Sequence, residues 1–289
     1  MNIYNIAEVN TFESFIEIEQ LNQELIENAI MYSNAYKNKS VLREGVLSSI
    51  KDLIVSIISK IIDLFKKFIH IFTGNSKEVS KKSEIDVKKM LSKYKESDMD
   101  GVSLQIKKLN VDSVDISPVF EEINSMIDGV AASMNSINSG YREGNEDIIT
   151  THYISAEREK IKDRYTVLVN SLNSYYDSML SDQETECTFS MIKPLYTDQQ
   201  KIEKQSTDNV KEMNKIISEL KQYRNTAKKL PDDINPNSVK LIQVKLSEMQ
   251  NGVQAILSSY NSLMSKINMY YTNIYSKMAK LCEEHTKGE

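Results

Sequence analysis

The chain has 289 residues, a formal net charge of −5 and no tryptophan, with only 8 glycines and 4 prolines against 15 tyrosines. That length supports one long or two ordinary domains with a sizeable core. The acidic balance argues against generic nucleic-acid binding, and the scarcity of Gly and Pro favours long helices over a glycine-rich α/β enzyme.

The first 36 residues carry six acids (Glu8, Glu13, Glu17, Glu19, Glu24, Glu27) and no base. The opening "MNIYNIAEVNTFESF" has neither a basic start nor an apolar core, so it does not read as a secretory signal. Thr11 is placed to cap a helix over 11–36, with Phe12, Phe15, Ile16, Leu21, Leu25, Ile26, Ala29 and Ile30 as its apolar stripe. "NKS" at 38–40 reads as a break.

The run "LREGVLSSIKDLIVSIISKIIDLFKKFIHIF" (42–72) holds the greasiest stretch. On a helical wheel, Ile50, Leu53, Ile54, Ile57, Ile58, Ile61, Leu64, Phe65, Phe68 and Phe72 fall on one half. Asp52, Ser56, Ser59, Lys60, Asp63, Lys66, Lys67 and His70 fall on the other, and Lys51 lies at the boundary. A helix over 45–73 would be about 40 Å long. Its charges interrupt the run of roughly 20 apolar residues that a membrane span needs. The face instead suits a membrane surface, a partner helix, or packing between the first helix and the rest of the chain. Gly74-Asn75 reads as its stop.

Residues 75–101 read as a Lys-rich linker ending in the turn "SDMDG". Alternation of Val102, Leu104 and Ile106, and of Cys187, Phe189 and Met191, predicts two short strands that pair as one antiparallel ribbon. Between and after them, helical stripes recur. Phe120, Ile123, Ile127, Val130, Met134 and Ile137 form one; Ile161, Tyr165, Leu168, Leu172, Tyr175 and Met179 form another. A weaker stripe holds Met213, Ile217, Leu220, Arg224 and Ala227. The last runs Ile242, Leu246, Met249, Val253, Ile256, Tyr260, Leu263, Ile267, Tyr270, then Ile274, Met278 and Leu281 after an extra four-residue step. "SGYREGNED" (139–147) and "LPDDINPN" (230–237) read as connections. The expected fold is all-α: an elongated antiparallel bundle over 102–289, preceded by an amphipathic helix pair, with one short β-ribbon. The seam tyrosines are expected at the core edge with their hydroxyls in water.

Chemistry is sparse. His70, His152 and His285 fall on separate elements without metal-ligand spacing, and Cys187 and Cys282 read as free thiols. No P-loop, G-x-G-x-x-G or G-x-S-x-G motif occurs. No catalytic, cofactor-binding or metal site is expected, and no cofactor.

In layout, residues 1–75 resemble internal and minor structural virion proteins of large tailed bacteriophages: an acidic amphipathic start, a Lys-studded apolar helix, then a polar helical body. Leu42-Arg43-Glu44-Gly45 is similar to the site cut by prohead proteases of T4-like phages. The resemblance implies removal of residues 1–44 as a targeting segment, leaving Gly45 as the new N-terminus. It also implies a non-enzymatic protein carried in the virion, otherwise cytoplasmic, whose partners are other virion proteins, itself or a membrane surface. Two other readings fit the residues: an α-helical pore-forming effector, and a cytosolic helical scaffold.

Overall fold

The computed structural model describes residues 3–38, 42–110, 117–139, 151–231 and 234–288. The fold is all-α with one small ribbon. Its elements are α1 (Ile3–Lys37), α2 (Leu42–Lys93), β1 (Ser103–Leu109), α3 (Ser117–Ser139), α4 (Thr151–Met179), β2 (Leu180–Thr188), α5 (Ile192–Ala227) and α6 (Pro236–Gly288). The 139–147 connection falls largely outside the described residues, as do 39–40 and 232–233.

Three elements differ from the expectation. Thr11 lies inside α1, not at its start. The predicted stop at Gly74-Asn75 does not end α2, which continues to Lys93. A helical glycine costs about 1 kcal/mol relative to alanine. That is easily offset by the good helix formers beyond it and by burial of Ser83, Val87 and Met90 on the continued face. The second strand also lies earlier than expected: "LSDQETECT" is extended, and Phe189–Met191 is a 3-10 turn.

The chain divides into two compact units. The first comprises Met1–Ile69, Ser117–Val169 and Glu212–Leu257. From Leu241 to Leu257 no α6 residue is exposed, so this stretch is sheathed by other helices. Met126 of α3 lies beside Gly252, and the carbonyl of Gly129 accepts from Lys245, so α3 runs against α6. Glu157 meets Lys245, Arg158 meets Glu248 and Tyr165 packs on Gly252, so α4 runs with α6. Asn22 of α1 donates to Gln250, and Tyr32 donates to the carbonyl of Ile234 at 2.7 Å, so α1 runs against α6. Up-and-down alternation lets each apolar stripe face its neighbours through short connections. The predicted stripes of α3 and α6 are buried as expected in this unit, from Phe120 to Met134 and from Ile242 to Ile256.

The second unit comprises His70–Ile116, Asn170–Lys211 and Ser258–Glu289. Gly101 takes a left-handed φ of 81° and turns the chain into β1. β1 pairs antiparallel with β2, Leu104 opposite Cys187 and Ile106 opposite Thr185, with an irregularity between Lys107 and Leu109. One face of this ribbon is buried through Ile106 and Cys187. On α6 the buried seam shifts to Ile267, Tyr271, Tyr275, Met278 and Cys282, so the extra four-residue step falls one turn earlier than the sequence suggests.

Gly252 marks a close helix approach. A Cβ there would lie 2.6 Å from Sδ of Met126 and 2.9 Å from Cδ1 of Tyr165. Alanine would gain about 1 kcal/mol of helix propensity but overpack the site at a cost of about 1–3 kcal/mol. Gly252→Ala is therefore expected to lower stability by about 1 kcal/mol in urea denaturation. A gain would show that the Tyr165 ring yields freely.

Candidate functional site

The candidate site from sequence is the apolar face of α2. Ile50, Leu53, Ile54, Ile57, Ile58, Ile61, Leu64, Phe65 and Phe68 are all buried, and the side chain of Phe72 lies outside the described residues. Ile62 is also buried, and so is Leu47. Asp52, Asp63, Lys66, Lys67 and His70 are exposed, so the wheel division of the sequence is the division of the fold. The face is therefore core, not surface. Each fully buried side chain of this size contributes about 1.5–3 kcal/mol relative to exposure.

The rim of α2 carries polar ties. Lys60 donates to Glu17 of α1, and this contact holds the Glu17 carboxyl below the usual range. Arg224 of α5 reaches Ser59 Oγ at 3.4 Å. On α1 the buried stripe is Ile18, Asn22, Leu25 and Tyr32, whereas Ile16 and Ile30 are exposed and Leu21 is half-buried. The stripe read from sequence is thus rotated. Asn22 and Tyr32 face inward, where the Asn22 amide N–H donates to Gln250 and the Tyr32 hydroxyl donates to the Ile234 carbonyl. The side chains of Phe12 and Phe15 lie outside the described residues.

At the candidate cleavage sequence, α2 is helical from Leu42. The side chains of Leu42 and Glu44 lie outside the described residues. Gly45 is exposed, and its carbonyl accepts from Ser49 Oγ at 3.3 Å. A protease would have to unwind this first turn to reach the Glu44–Gly45 bond.

A polar cluster that periodicity did not flag lies between α3, α4 and α6 of the first unit. Glu248 is 2% exposed, bonded by Arg158 Nε at 2.8 Å and by the Tyr165 hydroxyl at 3.3 Å. Lys245 pairs with Glu157 at 3.2 Å. Arg164 bonds Glu122 at 2.8 Å. The only sequence signal is negative: Lys245 and Glu248 sit beside the α6 seam on a helix otherwise rich in apolar residues. Each acid here meets a base, which is the arrangement of a structural network rather than a poised acid–base pair.

In the second unit the hydroxyls of Tyr260 and Tyr270 bond to protein, whereas those of Tyr271 and Tyr275 are buried without a hydrogen-bond partner among the described residues. Tyr260 is fully buried and its hydroxyl accepts from Asn209 at 2.6 Å. Tyr271 and Tyr275 stack with centroids 6.3 Å apart. Among the described residues, no three His, Cys, Asp or Glu side chains group to hold a metal ion. Cys187 and Cys282 are free and buried, and burial pushes both thiols up. Among the described residues, no helix is long and apolar enough to cross a membrane. No protein family, curated protein or solved structure matches the chain.

Phe65 is fully buried on the α2 face, so Phe65→Ala is expected to cost about 3–5 kcal/mol. Lys60→Ala, at a solvent-exposed ion pair, is expected to leave the denaturation midpoint nearly unchanged. Equal losses from the two would mean that the rim, not the apolar face, holds α2 in place.

Burial raises the phenols of Tyr165, Tyr223 and Tyr270 to about 12, and those of Tyr271 and Tyr275 further still. Unfolded phenols titrate near 10. The unfolded chain therefore loses these protons first. The stability they carry is complete below about pH 10 and falls as pH rises through about 12. Phenolate absorbance and helical circular dichroism are expected to change together over that interval. All fifteen phenolates appearing near pH 10 with the helices intact would show these rings to be solvated.

Proposed function

We propose that this chain is a non-enzymatic structural protein carried in a phage virion, with α2 acting in assembly and, when released, in membrane contact during ejection. The observation that carries the reading is the burial of α2's apolar face beside an acidic, tied-down α1. A membrane-seeking helix that circulates freely keeps its apolar face available. Here that face is stored as core, and the segment preceding it is fastened by Asn22, Tyr32 and Glu17. A protein that must stay inert until a particle acts would need such storage.

The layout of residues 1–75 supports the virion assignment, and Leu42-Arg43-Glu44-Gly45 supports processing at the boundary between the cover and the stored face. Removing residues 1–44 would take away the partners of Gln250, of the Ile234 carbonyl and of Lys60. Part of the first unit's core would lose its lid, and α2 would become the new N-terminal element. Peptide mass spectrometry of purified particles tests this directly. The chain is expected in the particles, with Gly45 as its first residue once the head has matured. Particles that lack the chain would overturn the assignment, and an uncut N-terminus in mature particles would remove the processing step.

A further inference from the structure

The ribbon has two open edges. Among the described residues the sheet contains β1 and β2 alone, so each strand pairs there on one side only. The irregular strand end shows which groups face outward. The Tyr270 hydroxyl donates to the Lys107 carbonyl at 3.0 Å and accepts from the Leu109 N–H at 3.2 Å. Because backbone direction alternates along a strand, Ser103 and Gln105 point to that same outer side, while Leu104 and Ile106 point to β2. By the same alternation, Thr185 and Cys187 face β1, and Glu184 and Glu186 face outward from β2. Among the described residues, no bond satisfies the outward backbone groups of Ser103, Gln105, Glu184 or Glu186.

The two edges carry opposite charge. β1 is "SLQIKKL", with Lys107 and Lys108 and no acid. β2 is "LSDQETECT", with Asp182, Glu184 and Glu186 and no base, and residues 182–186 are all exposed. Beside β1 lies an open groove of about 450 Å³. It is lined by Leu104–Lys107 and by α6, adding Lys266 and Lys277, with Asp177 as its acid. Lys266 lies over the Tyr176 ring at 5.7 Å, and Met269 is 59% exposed on the α6 wall. The groove thus offers backbone donors and acceptors, three cations and an apolar contact to an extended acidic strand.

We infer that β2 of a second copy docks on the outer edge of β1, joining copies head to tail through a continuous sheet. The chain itself supplies the matching occupant: an exposed, acidic strand with free backbone groups. Inside one copy Lys107 already stands opposite Glu184, and the contact between copies repeats that pairing on the other side of the strand. Docking uses one edge of each copy and leaves the other free, so the contact does not close at a dimer. Tyr270 caps the edge at Lys107 and Leu109, which keeps the open stretch short and the association dependent on concentration.

Sedimentation velocity of the full chain over rising concentration tests it. The mean mass is expected to climb past a dimer and to fall back as salt rises. Gln105→Pro removes an outward N–H from β1 without touching the ladder to β2, a position where an edge strand tolerates proline. Glu186→Pro does the same on β2. Each variant alone is expected to stay monomeric. An equimolar mixture is expected to form a dimer and nothing larger, because one good edge remains on each partner. Lys266→Glu with Lys277→Glu leaves the ribbon backbone unaltered and is expected to weaken association at low salt by about tenfold or more. A native chain that stays monomeric throughout, or stops at a dimer, would overturn the inference. So would proline variants that retain their helical signal and assemble like the native chain, or a charge-reversed variant that associates undiminished.

Discussion

The first unit depends on one constraint: a stretch of α6 with no exposed residue that nevertheless contains Gln243, Lys245, Glu248 and Gln250. A buried charge is tolerable only when it is paired and hydrogen-bonded. Glu248 finds Arg158 and Tyr165, Lys245 finds Glu157 and the Gly129 carbonyl, and Gln250 finds Asn22. Three neighbours, α1, α3 and α4, are thereby fixed in register against one helix. An apolar seam repeats every heptad and would accept a slip of one repeat at modest cost. The same slip would part Glu248 from Arg158 and bury a lone carboxylate, a far larger penalty. Gly252 adds a steric version of the same rule, since only one register brings it under Met126 and Tyr165.

The behaviour of α2 follows from what surrounds it. Its apolar half-wheel is indifferent to the source of its apolar contacts: a helical core and an acyl boundary both remove it from water. Moving the face from one to the other is therefore nearly balanced in hydrophobic terms. The barrier to release lies elsewhere, in the polar ties of α1 and in the core surface that a departing helix would uncover on its neighbours. Under the proposed release of α2, control would lie in α1, whose contacts at Asn22 and Tyr32 are buried, whereas its contact at Glu17 is exposed and weak.

What the sequence made legible was periodicity with a single apolar face. α3, α6 as far as Ile267 and the first half of α2 have such a face, and their predicted core residues among those described are buried, whereas Tyr270 and Leu281 farther along α6 are only half-buried. α1 does not: Leu and Ile occur on several sides of it, so the choice fell to Asn22 and Tyr32, whose partners lie far away in the chain. The continuation of α2 past Gly74 was hidden because a glycine is a weak local penalty that distant packing overrides. The charged cluster on α6 was hidden because Lys245 and Glu248 resemble ordinary surface residues until the helices that cover them are known.

The ribbon shows why the strands were only half visible. The hydrophobic alternation at Cys187, Phe189 and Met191 pointed to the right neighbourhood, but only Cys187 lies in the strand, and Phe189 and Met191 lie in the turn after it. β2 instead runs through Asp182, Glu184 and Glu186, side chains with little preference for strands. It is extended because Cys187 is buried opposite Leu104, and pairing with β1 supplies backbone bonds that a helical turn there would not. The acids are tolerated because their side of the ribbon faces water. A strand held by one buried face and its partner, rather than by its own sequence, keeps a polar open edge. The opposite edge, on β1, is short, basic and stopped by the Tyr270 hydroxyl, features that restrain indiscriminate pairing while leaving room for a partner of complementary charge.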